Sequence, residues 1–242
     1  MKIYGKSDIG LKRQTNQDCF YSECMDEDFA FVIVCDGMGG VNGGGTASRI
    51  AVDSIKDQIK SSYNKDLNPS AIRNLLESSV YNANMAIYQK QQEDPLLNGM
   101  GTTVVVSIIF GDHLYTAHIG DSRAYIISNN NINQITTDHS IVQQMVDKGE
   151  ITKEEAMHHP RKNLITRALG VDQEVPADYI EKEFYPSDTL VLCTDGLSNY
   201  ISEEEIYNCY KNNDIDLLCD ILISKAKDLG GDDNITVVLL QR

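Results

Sequence analysis

The sequence predicts an α+β fold in which antiparallel sheet is covered by helices. Two observations carry this prediction. Successive apolar runs in the middle of the chain are joined by only a few turn residues, whereas parallel neighbours need crossovers of about a dozen residues or more. Helical and strand-like segments are also grouped along the chain, which argues against a doubly wound sheet. The length agrees: 242 residues suit a single domain spanning 1–242. A 41% share of hydrophobic residues supplies a sizeable core.

The elements follow in order. An apolar, β-branched run at 29–35 reads as a strand. Ala47, Ile50, Ala51, Ile55 and Ile59 recur at helical spacing. Ile72, Leu75, Leu76, Val80, Ala83 and Ile87 do so again, just after Pro69, which suits the first helical turn. Strands at 103–110 and 114–118 meet around Gly111-Asp112, a hairpin signal. Gly120-Asp121-Ser122 then turns into a strand at 123–128, and Asn129 to Asn131 turn once more. The whole stretch therefore reads as one antiparallel meander. A short helix is expected from Ser140 to Lys148, and a strand at 189–193. Ser202 followed by Glu203-Glu204-Glu205 marks a helix start, where acids complement the dipole. A last helix carries Ile215, Leu218, Leu222, Ala226 and Leu229, opened by Asp214 and closed by Gly230-Gly231. The final strand is 235–240.

Charge narrows the function. Lys and Arg total 21 against 36 Asp and Glu, a net charge of −15. Such a surface repels phosphate backbones and anionic lipid, so neither a nucleic acid nor a membrane is an expected partner. The six cysteines include no CxxC pair and read as free thiols in a reducing compartment. The opening MKIYGKSDIG lacks the apolar stretch of a signal peptide. Apolar runs also fall far short of the ~20 residues that span a bilayer. A cytoplasmic protein is expected, in which the sequon Asn234-Ile235-Thr236 carries no meaning.

Carboxylates mark the chemistry. FVIVCDG at 31–37 and LVLCTDG at 190–196 echo each other, each a strand delivering an Asp-Gly pair. Asp233 immediately precedes the last strand. If that strand runs antiparallel to the other two, Asp36, Asp195 and Asp233 meet at one end of the sheet, where Asp121 can join them from its turn. Carboxylates so gathered need a counter-charge. Divalent cations are the economical one, and all-oxygen ligands favour Mg²⁺ or Mn²⁺. Gly37 and Gly196 would permit tight turns and free a backbone carbonyl as a further ligand. Asp-Gly is equally an ordinary turn dipeptide, so the residues alone leave plain turns and a two-metal hydrolase both open. Other chemistries fit less well. DGMGGVNGGG has Asn42 where a dinucleotide fingerprint needs its third glycine. No GxxxxGK[ST] occurs, no cysteine has an arginine six residues on, and the histidine spacings make poor zinc sites.

Eight motifs then occur in order: RQTNQD at 13–18, VCDGMGG at 34–40, GTT at 101–103, IGDSR at 119–123, DHS at 138–140, ITRALG at 165–170, TDGL at 194–197 and GGDDNIT at 230–236. Together they resemble the metal-dependent Ser/Thr protein phosphatases of the protein phosphatase 2C family, above all its compact bacterial members. The resemblance implies a four-layer α-β-β-α sandwich of two antiparallel sheets. It also implies two Mn²⁺ or Mg²⁺ ions. Asp36 matches the carboxylate bridging both, Gly37 a carbonyl ligand, Asp195 and Asp233 the carboxylates completing the second site, and Asp18 a ligand acting through water. Asp121 matches the residue holding a third, weaker metal, and Arg13 the arginine that binds the substrate phosphate.

The reaction so implied is hydrolysis of phosphoserine and phosphothreonine by a hydroxide bridging the two metals, without a phosphoenzyme. Phosphorylated proteins are the expected substrates and a cognate Ser/Thr protein kinase the counterpart, with a monomer as the expected state. A flap is expected over about 138–165. Met38 and Val41 stand where many relatives carry histidine, and Gly45 where many carry an acid. A metal-bound water, with no essential histidine, is therefore the expected proton donor. Two other classes remain to be weighed: a binding module keeping only the fold, and a two-metal hydrolase of small phosphate esters.

Overall fold

The computed structural model describes residues 1–64 and 67–242, with the side chains of Val41 and Asn42 outside that description. Two antiparallel sheets pack face to face. One runs β1 (Lys2–Asp8), β11 (Ile235–Gln241), β10 (Thr189–Cys193), β7 (Arg123–Ser128) and β8 (Asn131–Gln134). The other runs β2 (Asp18–Cys24), β3 (Phe29–Met38), β5 (Val104–Phe110), β6 (His113–Ile119) and β9 (Asp178–Glu183), with the short β4 (Gly101–Thr102) also pairing β3. Helices α1 (Gly40–Ser62) and α2 (Pro69–Glu93) cover the second sheet, while α6 (Glu203–Asn212) and α7 (Ile215–Asp228) cover the first. The four-layer expectation holds.

Alternation along the strands explains the layers. In β3, Ala30, Val32 and Val34 face the opposing sheet, while Phe29, Phe31, Ile33 and Cys35 face α1 and α2. In β11, Val238 and Leu240 point inward, and Val237 and Leu239 meet α6 and α7. Strands buried on both sides read as unbroken apolar runs, which is why these were visible in the sequence. Helix starts follow the expected chemistry. Asn68 caps α2 ahead of Pro69, and Ser202 with Glu205 forms a capping box on α6. No helix among the described residues is long and apolar enough to cross a membrane.

The single meander expected across 103–134 is not what forms. β5 and β6 do pair as a hairpin, and so do β7 and β8, where Asn129 and Asn130 adopt positive φ. But β6 takes β9 as its outer neighbour, and β7 takes β10 in the other sheet. Gly120-Asp121-Ser122 is therefore a corner between sheets. A tight turn and such a corner use the same residues, so local sequence does not separate them. The corner carries Asp121 to the common edge of both sheets.

Between Asp138 and Ile165 the chain leaves the sandwich and returns. The excursion holds α3 (Ile141–Asp147), capped by Ser140, and α4 (Lys153–Met157), opened by a Thr152–Glu155 capping box. Its two legs pair at their root, where Ser140 bridges Ile165 and the Ile141 N–H donates to the Leu164 carbonyl at 2.9 Å.

Candidate metal centre and substrate cleft

At one end of the sandwich a cleft of about 500 Å³ is lined by Arg13, Asp36, Gly37, Asp121, Asp195 and Asp233, among others. β11 runs antiparallel to β10, so Asp195, just past the end of β10, and Asp233, just before β11, reach the same edge. Asp36 arrives from β3 in the opposing sheet. Asp18 stands directly across from it in β2, behind the cleft wall.

Neither Asp-Gly pair is the turn that the sequence suggested. Gly37 lies within β3, in register with Thr102, and Gly196 lies within α5 (Asp195–Ser198). Both are buried, and each is required by close approach. A Cβ on Gly37 would overlap the Gly44 carbonyl of α1, and one on Gly196 the carbonyl of Asn234. The second contact is what lets the start of α5 sit against the segment bearing Asp233.

The backbone around Asp36 is held rigidly. Its N–H donates to Thr103 Oγ1 at 2.9 Å, and its carbonyl accepts from the Thr103 N–H (2.9 Å) and Thr102 Oγ1 (2.8 Å). Asp18 Oδ2 accepts from two hydroxyls, Thr194 Oγ1 at 2.9 Å and Thr236 Oγ1 at 2.7 Å. Asn199 Nδ2 donates to Asp195 Oδ2 at 3.0 Å. Arg13 Nη2 donates to Asp233 Oδ2 at 2.6 Å from the exposed rim. Asn234 fastens the loop carrying Arg13. Its Oδ1 accepts from the Gln17 N–H, and its Nδ2 donates to the carbonyls of Ile9 and Thr15.

Electrostatics make the cleft unusual. Burial pushes Asp18 up to about 7, against the pull of its two threonine hydroxyls. Burial, then repulsion from Asp18 and Asp195, lifts Asp36 well above the carboxylate range. Asp121 is lifted well above it by burial and by Asp195 and Asp138, and Asp195 is raised by burial and by Asp233. Asp18 Oδ1 and Asp195 Oδ1 are buried without a hydrogen-bond partner. Ionised carboxylate oxygens only accept, so two sequestered acceptors amid mutually repelling acids fit a bound cation. The donors are hard oxygens, which suit Mg²⁺ or Mn²⁺ and not a soft metal. Among the described residues no three His, Cys, Asp or Glu side chains close on one point. The carboxylates instead ring the cleft, which fits ions that keep several waters.

Among the described residues no histidine lines this cleft, whereas Met38 does; the Val41 side chain lies outside the described residues. His118 is wholly buried and pushed down to about 4 by burial and by His139. His113 is exposed, and His158 and His159 follow α4. Sequence reasoning did not single out Thr103, Thr194, Thr236 or Asn234 as supports. GTT, TDG and DDNIT contain them, but their hydroxyls and amide act on backbone and carboxylates far away in sequence.

An oxygen-lined acidic cleft at the edge of a double antiparallel sandwich has the make-up of a metal-dependent hydrolase. Comparison narrows this. A family model described as Protein phosphatase 2C matches residues 5–215, and the chain belongs to that family. It is 39% identical over 238 residues to the serine/threonine phosphatase stp of Listeria welshimeri, covering 98% of this chain and 94% of that one. Its fold matches the crystal structure of serine/threonine phosphatase Stp1 from Staphylococcus aureus, with a TM-score of 0.93 and 34% identity over 100% of this chain and 94% of that one. It also matches the catalytic domain of the serine/threonine protein phosphatase PstP in complex with two manganese ions, with a TM-score of 0.86 and 34% identity over 98% and 96% of the two chains.

Proposed function

We propose that this chain is a protein serine/threonine phosphatase whose cleft holds two Mn²⁺ or Mg²⁺ ions. The observation that carries the reading is the pair of buried, partnerless oxygens, Asp18 Oδ1 and Asp195 Oδ1, within a ring of acids whose burial disfavours their charge. Asp36, the Gly37 carbonyl, Asp195 and Asp233 would hold the two ions, with Asp18 acting through water and Asp121 holding a weaker third. When bound, such ions supply an acidified water and neutralise charge on the phosphoryl oxygens.

The chain's own residues do the rest. Arg13 presents a planar fork at the rim, suited to two oxygens of a phosphate monoester. Its ion pair with Asp233 keeps it over the cleft. Thr103 fastens the backbone of Asp36, and Asn234 fastens the loop of Arg13, so phosphate and carboxylates meet in a fixed geometry. With no histidine among the described residues of the cleft, the leaving seryl or threonyl oxygen takes its proton from water.

This reading makes 1–242 one catalytic domain, with 138–165 as a flap beside its mouth. It makes phosphorylated proteins the substrates and a Ser/Thr protein kinase the counterpart. It makes the cytoplasm the site of action, and the self-repulsion of a −15 charge favours a monomer.

Hydrolysis of a phosphothreonine peptide with Mn²⁺, with chelator, and by Asp195→Asn tests the reading. Phosphate release that needs the metal and is lost in the variant is expected. No release by folded, Mn²⁺-saturated wild type would overturn it, and release from a phosphodiester alone would reassign the substrate class.

A further inference from the structure

Two adjacent residues at the root of the 138–165 excursion grip the corner that carries Asp121 from both sides. On one side, the His139 N–H donates to the Gly120 carbonyl at 2.8 Å, and the Gly120 N–H donates back to His139 Nδ1 at 3.1 Å. On the other, Asp138 accepts from Arg123 Nε at 3.0 Å and from Arg123 Nη2 at 2.7 Å. The four residues from Gly120 to Arg123 are thus held at both ends by consecutive side chains.

The imidazole has a defined orientation. His139 Nε2 lies 3.2 Å from Asp178 Oδ2, and Arg167 Nη1 donates to Asp178 Oδ1 at 2.9 Å. The Gly120 N–H can only donate, so Nδ1 is its acceptor and the proton sits on Nε2, facing Asp178. Arg167 Nη1 lies 3.1 Å from the same nitrogen, drawn there by its ion pair with Asp178. The His139 carbonyl accepts from the Thr166 N–H at 2.7 Å, so the outgoing and returning legs of the excursion are tied to the same residue. Gly120 cannot retreat the other way. It has a φ of 108°, and a Cβ there would overlap the side chain of Thr103, whose hydroxyl accepts the Asp36 N–H and bonds Ser122 Oγ at 2.7 Å.

We infer that His139 is a positioning residue: with Asp138 it clamps the Gly120–Arg123 corner to the root of the 138–165 segment, so that Asp121 and that segment hold one position together. The clamp itself is independent of any ion. Its consequence for metal binding rests on the function proposed above, with Asp121 as the ligand of the weakest Mn²⁺.

Three variants separate the two faces of the imidazole. Asn at 139 offers an amide oxygen where Nδ1 stood but does not reach Asp178. Gln can reach Asp178 but leaves the Gly120 N–H unpaired, and Ala does neither. Amide hydrogen exchange at Gly120, measured on the chelated protein, reads the clamp without metal. We expect exchange at least about tenfold faster in His139→Ala and His139→Gln, and within about threefold of wild type in His139→Asn, a tenfold change corresponding to about 1.4 kcal/mol. Mn²⁺ titration by calorimetry then reads the consequence. The weakest Mn²⁺ should bind at least about tenfold less tightly in the Ala and Gln variants, with recovery in Asn. Adding His139→Ala to Asp121→Ala should cause no further loss.

Unchanged Gly120 exchange in folded His139→Ala, or equal behaviour of Asn and Gln, overturns the clamp whatever the metals do. Faster exchange with an unaltered weak Mn²⁺ site overturns its role in positioning Asp121. Faster exchange in a protein whose wild type binds no Mn²⁺ supports the clamp and removes the metal reading instead.

Discussion

Asp18 and Asp36 stand opposite each other in the β2–β3 pair, yet they are held by different halves of the molecule. Asp36 is fastened through its backbone by Thr102 and Thr103 of its own sheet. Asp18 is fastened through its carboxylate by Thr194 and Thr236, which come from the other sheet's edge. The pairing belongs to one sheet, but the orientation of the Asp18 carboxylate depends on the packing of both, so the acidic cleft is coupled to the sandwich interface.

Thr236 supplies one of the two hydroxyls that aim Asp18. Thr236→Val keeps the shape and removes the donor. Outer partners of this type change metal affinity by about 10–100-fold when lost, and a shift of that order in Mn²⁺ affinity is expected by calorimetry. Thr194→Val should cost stability as well, because Thr194 Oγ1 also accepts the buried Thr236 N–H at 3.0 Å. An unpaired buried donor costs about 1–3 kcal/mol, readable in urea unfolding. Unchanged Mn²⁺ affinity in Thr236→Val would remove Asp18 from the metal environment.

Arg13 tests phosphate recognition. Lysine keeps the charge but lacks the fork, so Arg13→Lys should lower kcat/KM on a phosphothreonine peptide by at least about tenfold, or about 1.4 kcal/mol. Arg13→Ala should lower it further. Mn²⁺ binding should survive in both variants. Equal kcat/KM for Lys and Arg would show that charge alone suffices.

The chelated protein should lose stability as pH rises. Asp18 sits near 7 in the folded chain against an ordinary value of 3.8, so the folded state holds the extra proton between about pH 4 and pH 7. Stability falls with pH wherever the folded state binds more protons. This contribution is therefore full below about 4 and is lost on passing 7. Asp36, Asp121 and Asp195 shift in the same direction. Melting temperatures of wild type and Asp18→Asn, compared across this window, isolate the effect, and the variant's curve should be flatter. Mn²⁺ should raise the wild-type melting temperature most at the upper end, where the carboxylates ionise and binding releases fewer protons. Parallel curves for the two proteins would show that Asp18 is not protonated in the fold.

Much of the fold was legible because its central strands are buried on both faces. β3, β5, β10 and β11 appear as apolar runs, and α1, α2 and α7 as helical stripes. The edge strands did not appear. KIYGKSD of β1, DCFYSEC of β2 and DYIEKE of β9 bury little, so their alternation is weak and their pairing is set by the sheets they join. The corner at Gly120 escaped for a related reason: turn residues specify a change of direction, and only the competition between β9 and β10 for neighbours decides which sheet receives the next strand.

The sequence by itself determined the class of most elements and, through eight motifs in order, the family resemblance and the residues it implies for the cleft; the carboxylate-glycine pairs alone left turns and ligands both open. Only the tertiary structure decided why those glycines are needed. They are sites where Gly44 of α1 and the Asn234 backbone approach too closely for a Cβ. It also decided which groups hold the acids in place. Thr103 lies 67 residues from Asp36, and Thr236 lies 218 from Asp18. Hydrogen bonds of such separation depend on how two sheets pack, and packing is a property of the whole chain.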